Sequence, residues 1–196
     1  MSHRDDHNQY SEYQQPMTRI SWVGLLYLFL FSLACGGTSN DLTPSSEDLR
    51  NTSNSGVGSN IGQQAPLQSE TNSFGTSIDL PTRLKSHDAM LLYFTMWCPV
   101  CDAHSQHIRS QILTKFANVD VHLVDFVSSN QTSSWGAQMS GGYSDFSTLI
   151  DPNNSLEQRF GGAMGKTIIV HSNGNIIFNE GYKDGTRVLE ALNSLP

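Results

Sequence analysis

Ala89-Met90-Leu91-Leu92-Tyr93-Phe94-Thr95, followed one residue later by Trp97-Cys98-Pro99-Val100-Cys101, is the stretch that decides the fold. The first seven residues form a continuous apolar run of strand length, suited to a central strand buried on both faces. From Cys98 the period changes. Cys101, Ser105, Ile108, Ile112 and Phe116 recur at three- and four-residue spacing, which marks the buried side of a helix. A cysteine where strand gives way to helix meets unpaired amides and the positive end of the helix dipole, and both stabilise a thiolate. Pro99 suits the first turn, where it has no amide hydrogen to waste. Cys101, one turn on, can attack a mixed disulfide formed at its neighbour. The expectation is a redox-active pair with Cys98 as exposed nucleophile and Cys101 as buried resolving thiol. Half of a zinc knuckle is the competing reading, but there is no second C-x-x-C.

Downstream, Val119 to Val127 reads as the next strand, and a short helix is expected around Trp135 to Met139. Ser147 to Ile150 is a short strand, and Asp151-Pro152-Asn153 turns the chain into a helix through Phe160. Thr167 to Val170 and Asn175 to Phe178 read as strands joined by a turn at Asn173-Gly174. A last helix is expected from Asp184 to Leu195, and a short one before the first strand, from Thr82 to Ser86. Strand and helix alternate before a closing hairpin and helix. That order predicts an α/β domain, a central mixed sheet with helices on both faces, over residues 76–196.

Upstream the composition shifts. Gly36 to Gly75 is rich in Ser, Asn, Thr, Gly and Gln and lacks periodicity, so residues 35–75 are expected to be a flexible linker. Ile20 to Ala34 is apolar, follows Arg19 and ends in small residues. It is shorter than the ~20 residues a bilayer span needs, which predicts an export signal over residues 1–34. Phe31-Ser32-Leu33-Ala34-Cys35-Gly36 resembles the lipobox of bacterial lipoproteins, with Ser32 where leucine is more usual. That resemblance implies lipid on Cys35 and a periplasm-facing, membrane-tethered domain. Gly36 after the lipidated cysteine is compatible with passage to an outer membrane. Met17 would give a more compact signal than Met1; an uncleaved anchor is the alternative. Of the three cysteines, one is then spent on lipid and two remain as a pair. Hydrophobic residues make up 37% and charged residues 15%, low values that fit a chain with a sizeable polar, unfolded portion. The net charge of −7 argues against nucleic acid as a partner.

Trp-Cys-x-x-Cys between an apolar strand and a helix resembles the thioredoxin superfamily. Leu149-Ile150-Asp151-Pro152, the run from Ile168 to Ile177 and the insertion between the second and third strands are similar to its membrane-tethered TlpA-type branch. The resemblance covers nearly all of residues 76–196. It implies a thioredoxin-like fold and dithiol-disulfide exchange with exported protein thiols or disulfides. It also implies a membrane or periplasmic redox partner and no cofactor. Trp97, Pro99 and Thr167 take the places of residues that tune the family's site.

Two positions depart from the pattern. Counting back from Asn173-Gly174 puts the family's cis-proline on Lys166, where a cis peptide would cost about 2.5–4 kcal/mol. A trans or reshaped loop is expected, with the Lys166 ammonium either beside Cys98 or in solvent. Leu92 stands six positions before Cys98, where the family buries a carboxylate. Proton exchange at Cys101 must then use water or another group, with Asp102, His104 and Lys166 as local candidates.

His104 and His107 extend the pattern to Cys98-x-x-Cys101-x-x-His104-x-x-His107. Residues three apart on a helix are neighbours, so a copper- or zinc-carrying site of these four is a second reading, different in class from an enzyme. Singly, His107 reads as a solvated residue and His104 as one at the edge of the buried stripe that packs or tunes the thiol. His122 and His171 read as packed or edge residues of strands. Nothing marks a peroxide pocket.

Overall fold

The computed structural model describes residues 56–195. The expected signal over residues 1–34, Cys35 and the linker up to residue 55 lie outside the described residues. Within them, β1 (Ser69–Thr71) and β2 (Ser77–Asp79) pair antiparallel as a small separate sheet. The main sheet takes β3 (Ala89–Thr95), β4 (Val119–Asp125), β5 (Ser147–Ile150), β6 (Lys166–His171) and β7 (Ile176–Gly181), in the order β5-β4-β3-β6-β7. Pairs β3/β4 and β4/β5 are parallel; β3/β6 and β6/β7 are antiparallel. The mixed α/β sheet predicted from the order of elements is therefore the one observed.

Every residue of β3 is buried, as a central strand requires. Its side chains alternate between two cores. Ala89, Leu91 and Tyr93 join Ile108, Ile112, Val188 and Leu192 on one face. That face is covered by α2 (Pro99–His107), its continuation Ile108–Leu113 and α5 (Thr186–Asn193). Met90, Leu92 and Phe94 join Leu80, Leu84, Leu156 and Phe160 on the other face, covered by α1 (Leu80–Leu84) and α4 (Ser155–Phe160). The helix α3 (Gln131–Ser140) lies in the connection between β4 and β5.

The stripe read from Cys101 to Ile112 is buried as expected, but the helix widens to i→i+5 turns over Ile108–Leu113. Such a wide turn is found most often within α-helices near functional sites.

The expected linker is corrected over residues 56–75, which are folded against the domain. Ile176 N–H donates to the Gln63 carbonyl at 2.9 Å, and Ser73 N–H to that of Thr148 at 2.8 Å. Ile61, Ala65 and Leu67 pack on the Leu92 face, and Arg159 ties the segment down through Glu70 and the Pro66 carbonyl. The segment shows no periodicity because it is held by backbone hydrogen bonds and an ion pair, not by an amphipathic face of its own.

Candidate active site

β3 ends at Thr95, and two residues carry the chain to Cys98, which caps α2 from an extended conformation (φ −88°, ψ 163°). Its sulfur accepts from Cys101 N–H at 3.2 Å and lies 2.7 Å from the Cys101 sulfur. Pro99 occupies the first turn, as expected. Both thiols are free, Cys98 partly accessible and Cys101 1% exposed. Met96 N–H points at the Cys101 sulfur at 3.5 Å.

Burial pushes the Cys98 thiol up, and the Cys101 sulfur beside it adds to the shift. Burial also raises Cys101, but the Cys98 thiol, the Met96 amide and Thr95 outweigh it and carry it down. Two sulfurs this close titrate as a unit. Of the two sulfurs, Cys98 is the accessible one.

Trp97, expected to tune the site, holds it in a strained way. Its φ of +55° is left-handed, a conformation that costs a bulky residue of order 1–3 kcal/mol. What holds it there is a set of contacts at both ends of the residue. Its amide donates to Thr95 Oγ1 at 3.1 Å, and its indole Nε1 donates to Asp125 Oδ2 at 2.8 Å. Asp125 is fully buried at the end of β4, and its Oδ1 accepts from the amides of Val127 and Ser128. The Trp97 ring packs against Tyr143, whose hydroxyl donates to Asp102. Burial and that carboxylate push Tyr143 up to about 12.

The loop before β6 is trans and reshaped, as expected from Lys166 in place of proline. All peptides among the described residues are trans. This loop brings Met164 to Cys98, its sulfur 3.6 Å from Cys98 Sγ. Lys166 is the first residue of β6, opposite Gly181, and its amide donates to the Ala163 carbonyl. Thr167 is buried opposite Tyr93. Gly165 takes a left-handed φ of +73°, which lets the chain turn from Met164 into the strand.

The four-residue metal grouping is not assembled. His104 Nδ1 bonds the Tyr93 hydroxyl at 2.9 Å and His107 Nδ1 bonds the Tyr182 hydroxyl at 2.6 Å. Both rings turn toward tyrosines, and among the described residues no group of three or more His, Cys, Asp or Glu is placed to hold a metal. Asp102 is engaged by Tyr143. His122 is packed, as read: its ring nitrogens bond Asp120 and Ser147 at the far end of β4.

Sequence reasoning missed Tyr93, Asp125, Tyr143, Met164 and Tyr182. Only Tyr93 carried a readable signal. It is a phenol inside an otherwise apolar strand, on the same face as the α2 stripe.

The family model described as Redoxin matches residues 60–193, more than half of the chain. The chain belongs to the Redoxin family. A Redoxin domain makes it an oxidoreductase of thioredoxin-like fold. Solved structures share that fold at low identity. A candidate protein disulfide isomerase of Bacteroides thetaiotaomicron is 18% identical, with 69% of this chain and 89% of that one covered and a TM-score of 0.59. A peroxidoxin of Mycobacterium tuberculosis is 16% identical over 69% and 97%, with a TM-score of 0.58. The thioredoxin domain of a Bacteroides vulgatus thiol-disulfide oxidoreductase is 14% identical over 67% and 96%, at 0.54. Searched against curated proteins, the chain finds no match.

Proposed function

We propose that this Redoxin-family chain is a thiol-disulfide oxidoreductase that exchanges electrons with protein substrates through Cys98 and Cys101. One observation carries the reading: an accessible sulfur caps a helix 2.7 Å from a buried second sulfur. Cys98 attacks a substrate disulfide, releasing one substrate thiolate and leaving a mixed disulfide. Cys101 then attacks Cys98 Sγ, closing the Cys98–Cys101 disulfide and releasing the second substrate thiol. Two electrons pass to the substrate; run backwards, the same steps oxidise a dithiol.

The reading includes export and a membrane tether of the TlpA type. Its support is in the sequence alone: Arg19, the short apolar run Ile20 to Ala34, and Cys35 before Gly36. Substrates are then exported protein thiols or disulfides, recharged by a membrane or periplasmic partner.

Reduction of insulin disulfides tests the chemistry. Cys98→Ser abolishes it, and Cys101→Ser accumulates mixed disulfides visible on non-reducing gels. Full activity in Cys98→Ser would overturn the assignment. For the tether, Cys35→Ala moves the protein from the membrane to the soluble fraction; membrane retention in that variant removes the lipid anchor from the reading.

A further inference from the structure

With Leu92 packed on the opposite face of the sheet, no carboxylate from β3 reaches the buried thiol. The next residue does. Alternation along the strand puts Tyr93 on the face that α2 covers. There its side chain interacts with the sulfur of Cys101, and its hydroxyl bonds His104 Nδ1 at 2.9 Å.

We infer that Tyr93 and His104 are the proton path of Cys101, a phenol and an imidazole in series standing in for the missing buried carboxylate. The inference rests on the dithiol-exchange reading and names how its second step is driven.

His104 also hydrogen-bonds the backbone of Lys183, in the sense that favours a protonated ring nitrogen. In the tautomer that carries its proton on Nε2, Nδ1 keeps its lone pair and accepts from the Tyr93 hydroxyl. The phenol oxygen is then left to accept from the Cys101 thiol. Lys183 holds its place with a left-handed φ of +54°. Tyr182 stacks its ring 4.8 Å from that of His104 and 5.7 Å from that of Tyr93. Gly165 presents bare backbone to the imidazole, where a Cβ would stand 3.6 Å from Nδ1.

Charge supports the same order. Burial, then the two cysteine sulfurs, push the Tyr93 phenol far above its ordinary range, so it does not persist as a phenolate and passes protons only in concert. Burial, with His107 nearby, holds His104 below the usual imidazole value, so it is neutral and ready to accept. The groups facing this path are Cys98 at the cap of α2, Cys101 and His107 on α2, and Tyr182 from the segment after β7.

In the step itself, the Cys101 proton moves to Tyr93 Oη as the phenol proton moves to His104 Nδ1. The thiolate attacks Cys98 Sγ, the Cys101–Cys98 bond forms and the substrate–Cys98 bond breaks. The imidazolium returns its proton to solvent or to the departing substrate thiolate. Tyr93 touches the reacting sulfur; His104 acts through it as a positioning and proton-accepting residue.

Single-turnover reaction with a dithiobis-nitrobenzoate reagent separates the steps. The first burst of coloured thiolate reports attack by Cys98, and the second reports resolution by Cys101. Tyr93→Phe and His104→Ala are expected to slow the second phase by about 100-fold relative to the first, with its pH profile displaced to the alkaline side. His104→Gln, which keeps a hydrogen-bonding side chain but cannot take a proton, stays slow. Added imidazole restores His104→Ala. A second phase of normal rate and unshifted profile in the folded His104 variants overturns the path, and these variants decide the matter even where Tyr93→Phe does not fold. Absence of a Cys98-dependent burst in the wild type would instead defeat the dithiol reading beneath it.

Discussion

The two ends of β4 each bury an aspartate, and the two are used differently. At one end Asp120 is satisfied on every side. Arg83 donates to both its oxygens, at 2.6 and 2.7 Å, and His122 Nε2 meets Oδ2 at 2.9 Å, while the other His122 nitrogen bonds Ser147. At the other end Asp125 accepts from two amides and from the Trp97 indole, and in doing so holds Trp97 in a left-handed conformation next to Cys98. The first cluster ends in closed partnerships. The second ends on a sulfur that a substrate can reach. A buried polar network is therefore not in itself a mark of function. What distinguishes it here is an accessible thiol at its edge, beside a residue held by strain that the network sustains.

The sharpest way to break that contrast is Asp120→Ala. Removing the shared acceptor leaves His122 buried with one nitrogen unpaired, and the loss is about 3 kcal/mol in denaturant melts. Arg83 is partly solvated and limits the damage. The folded fraction should keep its thiol chemistry. The same pair predicts an acid limb. Hydrogen bonds and charge from Arg83 and His122 overcome burial and hold the Asp120 carboxyl well below the usual carboxylate range. A depressed acid contributes stability that is complete above its unfolded pKa, about 3.9, and is lost as pH falls toward the folded value. Below about pH 4, wild type should lose stability while Asp120→Ala changes less. Equal acid slopes would remove Asp120 from the account.

At the other end, Trp97→Phe deletes the indole donor and leaves Asp125 Oδ2 buried without that partner, for a loss of about 2 kcal/mol. Here the loss should not be confined to stability. Freed from Asp125, the residue before Cys98 no longer holds one backbone geometry, so insulin reduction per folded molecule should fall as well. A variant that melts earlier but reduces insulin at the wild-type rate would make the Asp125 end as purely structural as the Asp120 end.

These two clusters also show what a sequence can and cannot reveal. The succession of strands and helices from β3 on, the β3 run, the buried stripe from Cys101 to Ile112 and the Cys98 cap were readable, because each rests on local period or on residues close in the chain. Asp125 holding Trp97 was not, since the pair is joined only by strand register. Leu92 was correctly singled out as lacking a carboxylate. The substitute we propose lies one residue on, because alternation puts Tyr93, not Leu92, on the side of the thiols. His104 was among the residues considered for proton exchange, yet its tie to Tyr93 needed the packing of α2 on β3. Lys166 was placed by counting from Asn173-Gly174, and the loop's reshaping at Gly165 made Met164 the neighbour of Cys98. The segment after residue 56 looked unstructured because its partners, Gly174, Ile176 and Arg159, all lie far along the chain.

Met164 supplies the finest test of the contrast, because it touches the reactive sulfur without belonging to the network that strains Trp97. It is half exposed, so Met164→Leu should shift stability by less than about 0.5 kcal/mol. The Cys98 thiol donates to the Met164 thioether. That weak bond favours the protonated sulfur over the thiolate, and losing it should speed alkylation of Cys98 by up to about threefold. The sign is the informative part. Slower alkylation would mean that Met164 orders the nucleophile instead of restraining its ionisation, and that the loop before β6 acts with the Asp125 network as part of one positioning device.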